Sequence, residues 1–305
     1  MKMTKKILGA AAAVAMVLGF ASCDWSLSDV FQSKFGANIF TYTDGTDAEC
    51  GNWTVKGENT NEDDYVRGMQ FLSTKHSDLS GIVKIDTNDI GLPGPSGKSG
   101  GVIGLVIDGT KIKGDKETET PDKYNFLVIG VRCKDDQPEY YISYFANITE
   151  DSFPTYNFGA GYIGDNGKAH DITKNKFDPE VDTPYEIQLA GNGGFVDMLS
   201  VCRDKETGSM TVVIDVKEDS ETGDYTIDFY DESQLKDGNA GLKTDANPFD
   251  TVTVEASKIG KEGPAQAKVG VYAGVYKGNG DDKDPVKLNG SLTIFDFTNA
   301  ANVAE

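Results

Sequence analysis

Carboxylates are the commonest reactive groups in the chain, 49 against 29 lysines and arginines over 305 residues, so their spacing decides what chemistry is open to them. Glycoside cleavage needs two carboxyl groups facing one cleft, and alternate residues of a strand supply that arrangement. Glu180-Val181-Asp182 comes nearest, but it lacks a third acid and runs into Pro184, which ill suits a central strand. A pair of loop acids is the better description. The two histidines, His76 and His170, share no motif with each other or with the four cysteines, and no CxxC spacing occurs. Neither zinc, a cysteine nucleophile nor histidine general-base catalysis has a candidate constellation. No G-x-S-x-G, H-E-x-x-H, P-loop or dinucleotide fingerprint is present.

Two other groups of residues could hold a ligand. Asp281, Asp282 and Asp284 offer hard oxygens of the kind Ca²⁺ prefers, as does Asp165-Asn166-Gly167. Neither has EF-hand spacing and Lys283 interrupts the first, so a solvated acidic loop is preferred, with calcium as the alternative. Tyr140, Tyr141, Tyr144, Tyr272 and Tyr276 fall on expected strands. Sugar rings stack their C–H faces on such aromatics, which makes Tyr141, Tyr144, Tyr272 and Tyr276 the candidate ligand-binding set. Half-buried tyrosines at sheet rims are the competing explanation.

The elements that must position these residues are strands. Runs rich in Val, Ile, Tyr, Phe and Thr, bounded by Gly, Asp, Asn or Pro, cover 38–43, 53–56, 66–73, 81–86, 102–108, 124–133, 140–147, 185–190, 195–203, 209–216, 225–230, 251–256, 268–276 and 291–297. No run alternates with a long helix, which removes βαβ folds. Asp204-Lys205-Glu206-Thr207-Gly208 and Asp219-Ser220-Glu221-Thr222-Gly223 read as hairpin loops closed by glycine, joining three strands in a meander. In Lys268–Tyr276 the odd positions Val269, Val271, Ala273 and Val275 predict a core face, leaving tyrosine and glycine on the other. Val102–Ile107 and Phe126–Val131 are apolar on both faces and must be covered from both sides.

The order of these strands resembles a known family. Gly101–Asp108, a polar excursion, Tyr124–Cys133 and Glu139–Asn147 are similar to the core of laminin-G-like domains. Lys268–Tyr276 followed by a polar loop and Ser291-Leu292-Thr293-Ile294-Phe295-Asp296-Phe297 resembles the closing pair of concanavalin A-like lectin/glucanase sandwiches. The resemblance covers roughly 101–298 and implies an all-β fold, a two-sheet antiparallel jelly-roll sandwich. Within that family the clustered strand carboxylates of the hydrolases are missing here. The resemblance without those acids implies a non-catalytic module presenting a glycan or protein ligand site. A surface protein that binds nothing small, or a glycoside hydrolase or lyase of the same fold, are the alternatives.

The N-terminus supplies an address. Lys2, Lys5 and Lys6 precede an apolar run from Ile7 to Phe20, the pattern of a signal peptide. Phe20-Ala21-Ser22-Cys23 resembles the lipobox of bacterial lipoproteins, with Phe20 where Leu is usual and Ser22 where Gly or Ala is usual, a relaxation similar to that of spirochaete lipoproteins. The resemblance implies cleavage before Cys23, acylation of its thiol and attachment to a bacterial membrane in the cell envelope, on its periplasmic or surface face. An ordinary secretory leader cut near Ala21 is the alternative. The expected organisation is 1–22 leader, 23–36 lipid-anchored segment and 37–305 one sandwich domain. Trp25, Leu27, Val30, Phe31 and Phe35 predict one short N-terminal helix.

Beyond the leader, Cys50, Cys133 and Cys202 are odd in number, and any pair of them could bridge in an exported protein. Composition bounds the rest. A hydrophobic fraction of 38% with 35 glycines is that of a folded, turn-rich domain, not of an acidic disordered tail. The net charge of −20 excludes a nucleic-acid binder and sets the domain against anionic headgroups.

Overall fold

Strand alternation and the two-sided apolar runs are resolved in a computed structural model, which describes residues 40–44, 51–59, 65–77, 79–89, 101–134, 137–149, 177–180, 184–190, 202, 204, 209–236, 241–276 and 286–295. The described residues form two antiparallel sheets. The first has seven strands in the spatial order β1 (Phe40–Asp44), β2 (Gly51–Asn59), β13 (Val286–Phe295), β4 (Gly81–Asp89), β9 (Met210–Glu218), β10 (Tyr225–Asp231) and β11 (Asp250–Val254). The second has six: β3 (Tyr65–His76), β12 (Ala267–Tyr276), β5 (Gly101–Ile112), β6 (Lys123–Lys134), β7 (Gln137–Ile148) and β8 (Tyr185–Ala190). This is the two-layer all-β sandwich expected from the alternation.

Each strand lies on one of the expected runs. The run at 195–203 and the N-terminal helix at 24–36 lie outside the described residues, apart from Cys202. At 219–223 the hairpin forms as the glycine requires: Gly223 has φ 75, and the Asp219 N–H donates to the Asp224 carbonyl at 2.8 Å. The Asp219 carboxylate accepts from the N–H groups of Glu221 and Thr222 at 2.9 and 2.7 Å, which fixes the loop. The Asp204 N–H donates to the Ser209 carbonyl at 2.8 Å across the base of the first loop, whose tip lies outside the described residues.

One expected pairing is corrected. Lys268–Tyr276 and Ser291–Phe297 read as neighbours closing one sheet, but β12 pairs with β3 and β5 while β13 pairs with β2 and β4, in the other sheet. Alternation sets the face of each strand but not its neighbour, and residues 277–285 between the two lie outside the described residues.

The space between the layers is filled by the inward residues of both sheets. Ile103, Leu105, Leu127, Ile129, Val131, Val269, Val271 and Ala273 of the six-stranded sheet meet Val83, Ile85, Val212, Ile214, Ile227, Leu292 and Ile294 of the other. Tyr140 stacks on Phe229 across the gap with ring centroids 4.1 Å apart, and the Trp53 indole N–H donates to Gln70 Oε1 at 2.9 Å between β2 and β3. No helix among the described residues is long and apolar enough to cross a membrane.

Ile129 is fully buried between the layers, with no partner for a charge. Ile129→Asp should cost more than about 4 kcal/mol and abolish cooperative folding, whereas Ser220→Asp at an exposed hairpin tip should stay within about 0.5 kcal/mol of the parent. Denaturant unfolding followed by circular dichroism separates the two. Equal midpoints for both variants would remove Ile129 from the core.

Candidate functional site

Strand parity sorts the candidate tyrosines before any distance is measured. Tyr141 and Tyr144 are three residues apart on β7 and so face opposite sides of the sheet. Tyr144 lies between the layers, edge-on to Phe177 at 6.1 Å, and Tyr141 lies on the outer face of the six-stranded sheet. Tyr144 is therefore a core residue and does not share a surface with Tyr141. Tyr272 joins Tyr141 on the outer face. Tyr276 pairs through its backbone with Tyr65, and its side chain lies outside what the structure describes. Asp281, Asp282 and Asp284, Asp165 to Gly167, and Cys23 also lie outside the described residues.

The outer face of this sheet is unusual in being apolar and shielded. Met69, Val102, Val106, Phe126, Val128, Phe145 and Tyr272 there are fully or almost fully buried, and every residue of this cluster comes from the sheet itself or the end of β7. One cross-strand row runs Tyr272, Gly104, Gly130, Tyr141. A methyl group on Gly130 would come within 2.2 Å of the Ile103 carbonyl, and one on Gly104 within 2.9 Å of the Ile129 carbonyl, so the strands close up at this row only because both residues lack Cβ. The tyrosine-over-glycine pattern of the sequence is literal here. The ring of Tyr272 reaches across to lie 6.2 Å from that of Phe145, which in turn stacks on Phe126 at 4.8 Å. An aromatic floor results.

Polar groups gather at one margin of this floor. Tyr141 donates its phenolic hydrogen to Glu186 Oε1 at 2.9 Å, and the Arg132 guanidinium sits 5.3 Å from the centre of the Tyr141 ring. Glu186 and Gln188 alternate on β8 with the inward Tyr185 and Ile187, so both stand on the outer face, half-exposed. Ser143 lies between Tyr141 and Phe145 on β7, directly opposite Gln188 and, on the other side, Val128. Its side chain is fully buried and its hydroxyl has no hydrogen-bond partner. The margin thus combines a half-exposed carboxylate and amide on β8 with a buried phenol, guanidinium and hydroxyl behind them. This donor and acceptor set suits a polyhydroxylated ligand. Of the candidate tyrosines, Tyr141 and Tyr272 share the outer face; Ser143, Glu186 and Gln188 are not among the sequence candidates, and their signal is their outward parity within Tyr140–Asn147 and Tyr185–Ala190.

The outer face of the seven-stranded sheet contrasts with it. Lys84 pairs with Glu232 at 2.6 Å and Asp86 at 3.5 Å, and Lys217 pairs with Asp228 at 2.7 Å and Asp215 at 3.0 Å. Thr251 donates to Asp228 at 2.6 Å. Burial would push Asp228 up, but Lys217 and Thr251 hold it below the usual carboxylate range, whereas burial leaves Asp215 raised. These charges satisfy one another. No group of three metal-ligating side chains occurs among the described residues. Glu180 is exposed in a turn, its N–H bonded to Asp178 at 3.0 Å, and Asp115, Glu117 and Glu119 are likewise exposed in a turn. Cys202 is a free buried thiol, so neither Cys50 nor Cys133 is bridged to it, and burial with the charge of Asp231 pushes it up to about 12. It is no nucleophile.

No family model matches the chain, and no curated protein matches it. Fifteen chains of solved structures do match. Among them is the crystal structure of the alginate lyase from Klebsiella pneumoniae, 10% identical, with a TM-score of 0.30 over 86% of this chain and 84% of that one.

The phenols within the sandwich give a pH test. Burial raises Tyr140, Tyr144 and Tyr225 above the ordinary tyrosine value of 10.0, and Tyr185 is pushed up to about 12 by burial with the charge of Asp178 adding to it. In the unfolded chain these groups ionise near their ordinary value, so their contribution to stability is complete below about pH 10 and is lost as pH rises beyond it. Tyrosinate absorbance from these groups should appear together with loss of the β-sheet circular dichroism. Full ionisation of all 13 tyrosines near pH 10 with the sheets intact would refute their burial.

Proposed function

We propose that this chain is a lipid-anchored cell-envelope protein that binds a hydroxyl-rich saccharide at the β7–β8 margin of its six-stranded sheet, without cleaving it. The observation that carries this is the pair of half-exposed polar side chains Glu186 and Gln188 on the outer face of β8, with Glu186 held by the Tyr141 hydroxyl at 2.9 Å. A fixed carboxylate that accepts and an amide that both donates and accepts match neighbouring hydroxyls of a sugar ring. A binding protein needs no acid–base pair, and none of the expected catalytic motifs is present in the sequence.

The full chain in detergent should bind laminarin, a neutral glucan, saturably in calorimetry, and bind alginate far less. Glu186→Gln should weaken laminarin binding about tenfold by removing a charge-assisted acceptor, and Gln188→Ala should weaken it by a similar factor provided the variant keeps the parent's circular dichroism. Absence of binding to laminarin and to a broad glycan array would overturn the proposal. A second function is favoured by one contact, the Tyr141 phenol on the Glu186 carboxylate, which could move a proton in a lyase or hydrolase. A fall in polysaccharide viscosity on incubation with the protein, lost in Tyr141→Phe, would replace binding with catalysis.

The anchor rests on the leader and on Phe20-Ala21-Ser22-Cys23. Acyl chains on Cys23 would tie an acidic, otherwise water-soluble domain to the envelope, since several chains together hold far better than one. Cys23→Ala should shift the protein from the detergent to the aqueous phase on phase separation and end incorporation of labelled palmitate. Unchanged partitioning would exclude lipidation at this residue.

A further inference from the structure

We infer that Tyr141 is the positioning residue of the saccharide site, drawing the Glu186 carboxylate toward the Gln188 amide so that the two address hydroxyls of one ring; this rests on the binding function proposed above. The pairing register shows why a positioning group is needed. Glu186 stands directly opposite Phe145, and Gln188 directly opposite Ser143. Alternate residues of a strand are about 7 Å apart, so two side chains rising straight from β8 would diverge from a single ring. Tyr141 lies beyond both, four residues before Phe145 on β7, yet its phenol donates to Glu186 Oε1 at 2.9 Å. The bond therefore runs diagonally over the Ser143–Gln188 row, and it forms because the two side chains lie along their strands toward each other. Ser143, in the row that the bond crosses, is fully buried, in keeping with a contact passing over it. The Glu186 carboxylate is drawn out of the Phe145 row and toward Gln188.

The phenol is itself held. Tyr141 is 1% exposed, and the guanidinium of the buried Arg132 sits 5.3 Å from the centre of its ring. A cation is attracted to a ring's π-system, and a ring clamped in this way has one direction in which to aim its hydroxyl. Arg132 on β6, Tyr141 on β7 and Glu186 on β8 thus form a line from the closed part of the face to its half-exposed margin. A carboxylate carries about four acceptor sites, so the bond from Tyr141 leaves Glu186 able to accept from a ligand. Holding that carboxylate before the ligand arrives spares the cost of ordering it on binding. Tyr141, being buried, touches no sugar and acts through Glu186.

A double-mutant cycle on the full-length protein separates positioning from a general effect on the fold. Tyr141→Phe keeps the ring and removes the hydroxyl, and should weaken laminarin binding about fivefold. In the Glu186→Ala background there is no carboxylate to position, and the same change should alter affinity by less than about twofold. Glu186→Asp keeps the charge at a half-exposed position but is one methylene too short to reach the phenol, and should lose affinity by about the same factor as Tyr141→Phe. An equal loss from Tyr141→Phe in both backgrounds would show that the tyrosine acts on the fold of β8 and not through Glu186. Unchanged affinity in Tyr141→Phe, or in Glu186→Asp, would show that the bond does not set the site; any of these overturns the positioning role while leaving saccharide binding in place. If the parent binds neither laminarin nor any glycan on the array, the binding function and the positioning role fall together.

Discussion

The constraint on which the rest of this structure depends is that β5 and β6 can be wetted on neither side. Ile103, Leu105 and Ile107 face one way and Val102 and Val106 the other, with Leu127, Ile129 and Val131 against Phe126 and Val128 on the neighbouring strand. An antiparallel sheet normally keeps one face for water. Here the inner face is met by the seven-stranded sheet, and the outer face buries an aromatic and aliphatic cluster that includes Phe126, Tyr141, Phe145 and Tyr272. Gly104 and Gly130 let β5 and β6 close up at the row between Tyr272 and Tyr141, because a Cβ on either would strike the backbone of the neighbouring strand.

The two outer faces solve the problem of polar groups in opposite ways. On the seven-stranded sheet, charged side chains are paired, Lys84 with Glu232 and Asp86 and Lys217 with the largely buried Asp228 and Asp215, so the carboxylates that leave water there keep a cation beside them. Among the described residues of the six-stranded sheet, Glu186 and Gln188 are half-exposed polar groups on the outer face of β8, beside a buried apolar cluster. A ligand can add little where bonds are already made between paired charges. At the β8 margin a new partner would find a carboxylate and an amide.

Much of this was legible in the sequence because it depends on period two. Alternation in Lys268–Tyr276 identified the core face, two-sided apolarity in Val102–Ile107 and Phe126–Val131 identified the central strands, and Asp219 to Gly223 identified a hairpin. Partnership was less legible. Alternation tells which way a side chain points but not which strand lies beside it, and so β12 and β13 read as neighbours although they occupy different layers. The site was half legible for the same reason. Tyr141 and Tyr144 were grouped by type, and only their odd separation, applied strictly, places one in the core. Ser143 carried a signal too, as the single small hydroxyl at an outward position of an otherwise apolar and aromatic run, but the absence of a partner is a property of packing that no single sequence displays.

Charge decides between saccharide classes. A chain of net charge −20 and pI near 4.5 surrounds itself with a negative potential that slows the approach of any polyanion and is only partly screened at physiological salt. A polyuronate would have to overcome that field and then find a cation at the margin. The candidate there, Arg132, is itself buried and its guanidinium lies against the ring of Tyr141, while the groups that face the open edge are Glu186 and Gln188. Placing a sugar carboxylate next to Glu186 brings like charges together where water is scarce, which costs more than in bulk solvent. For the proposed saccharide, a neutral ring avoids both penalties, since its hydroxyls can donate to Glu186 and exchange bonds with Gln188. If the β8 margin holds a sugar, local geometry and the long-range field both favour an uncharged, hydroxyl-rich one.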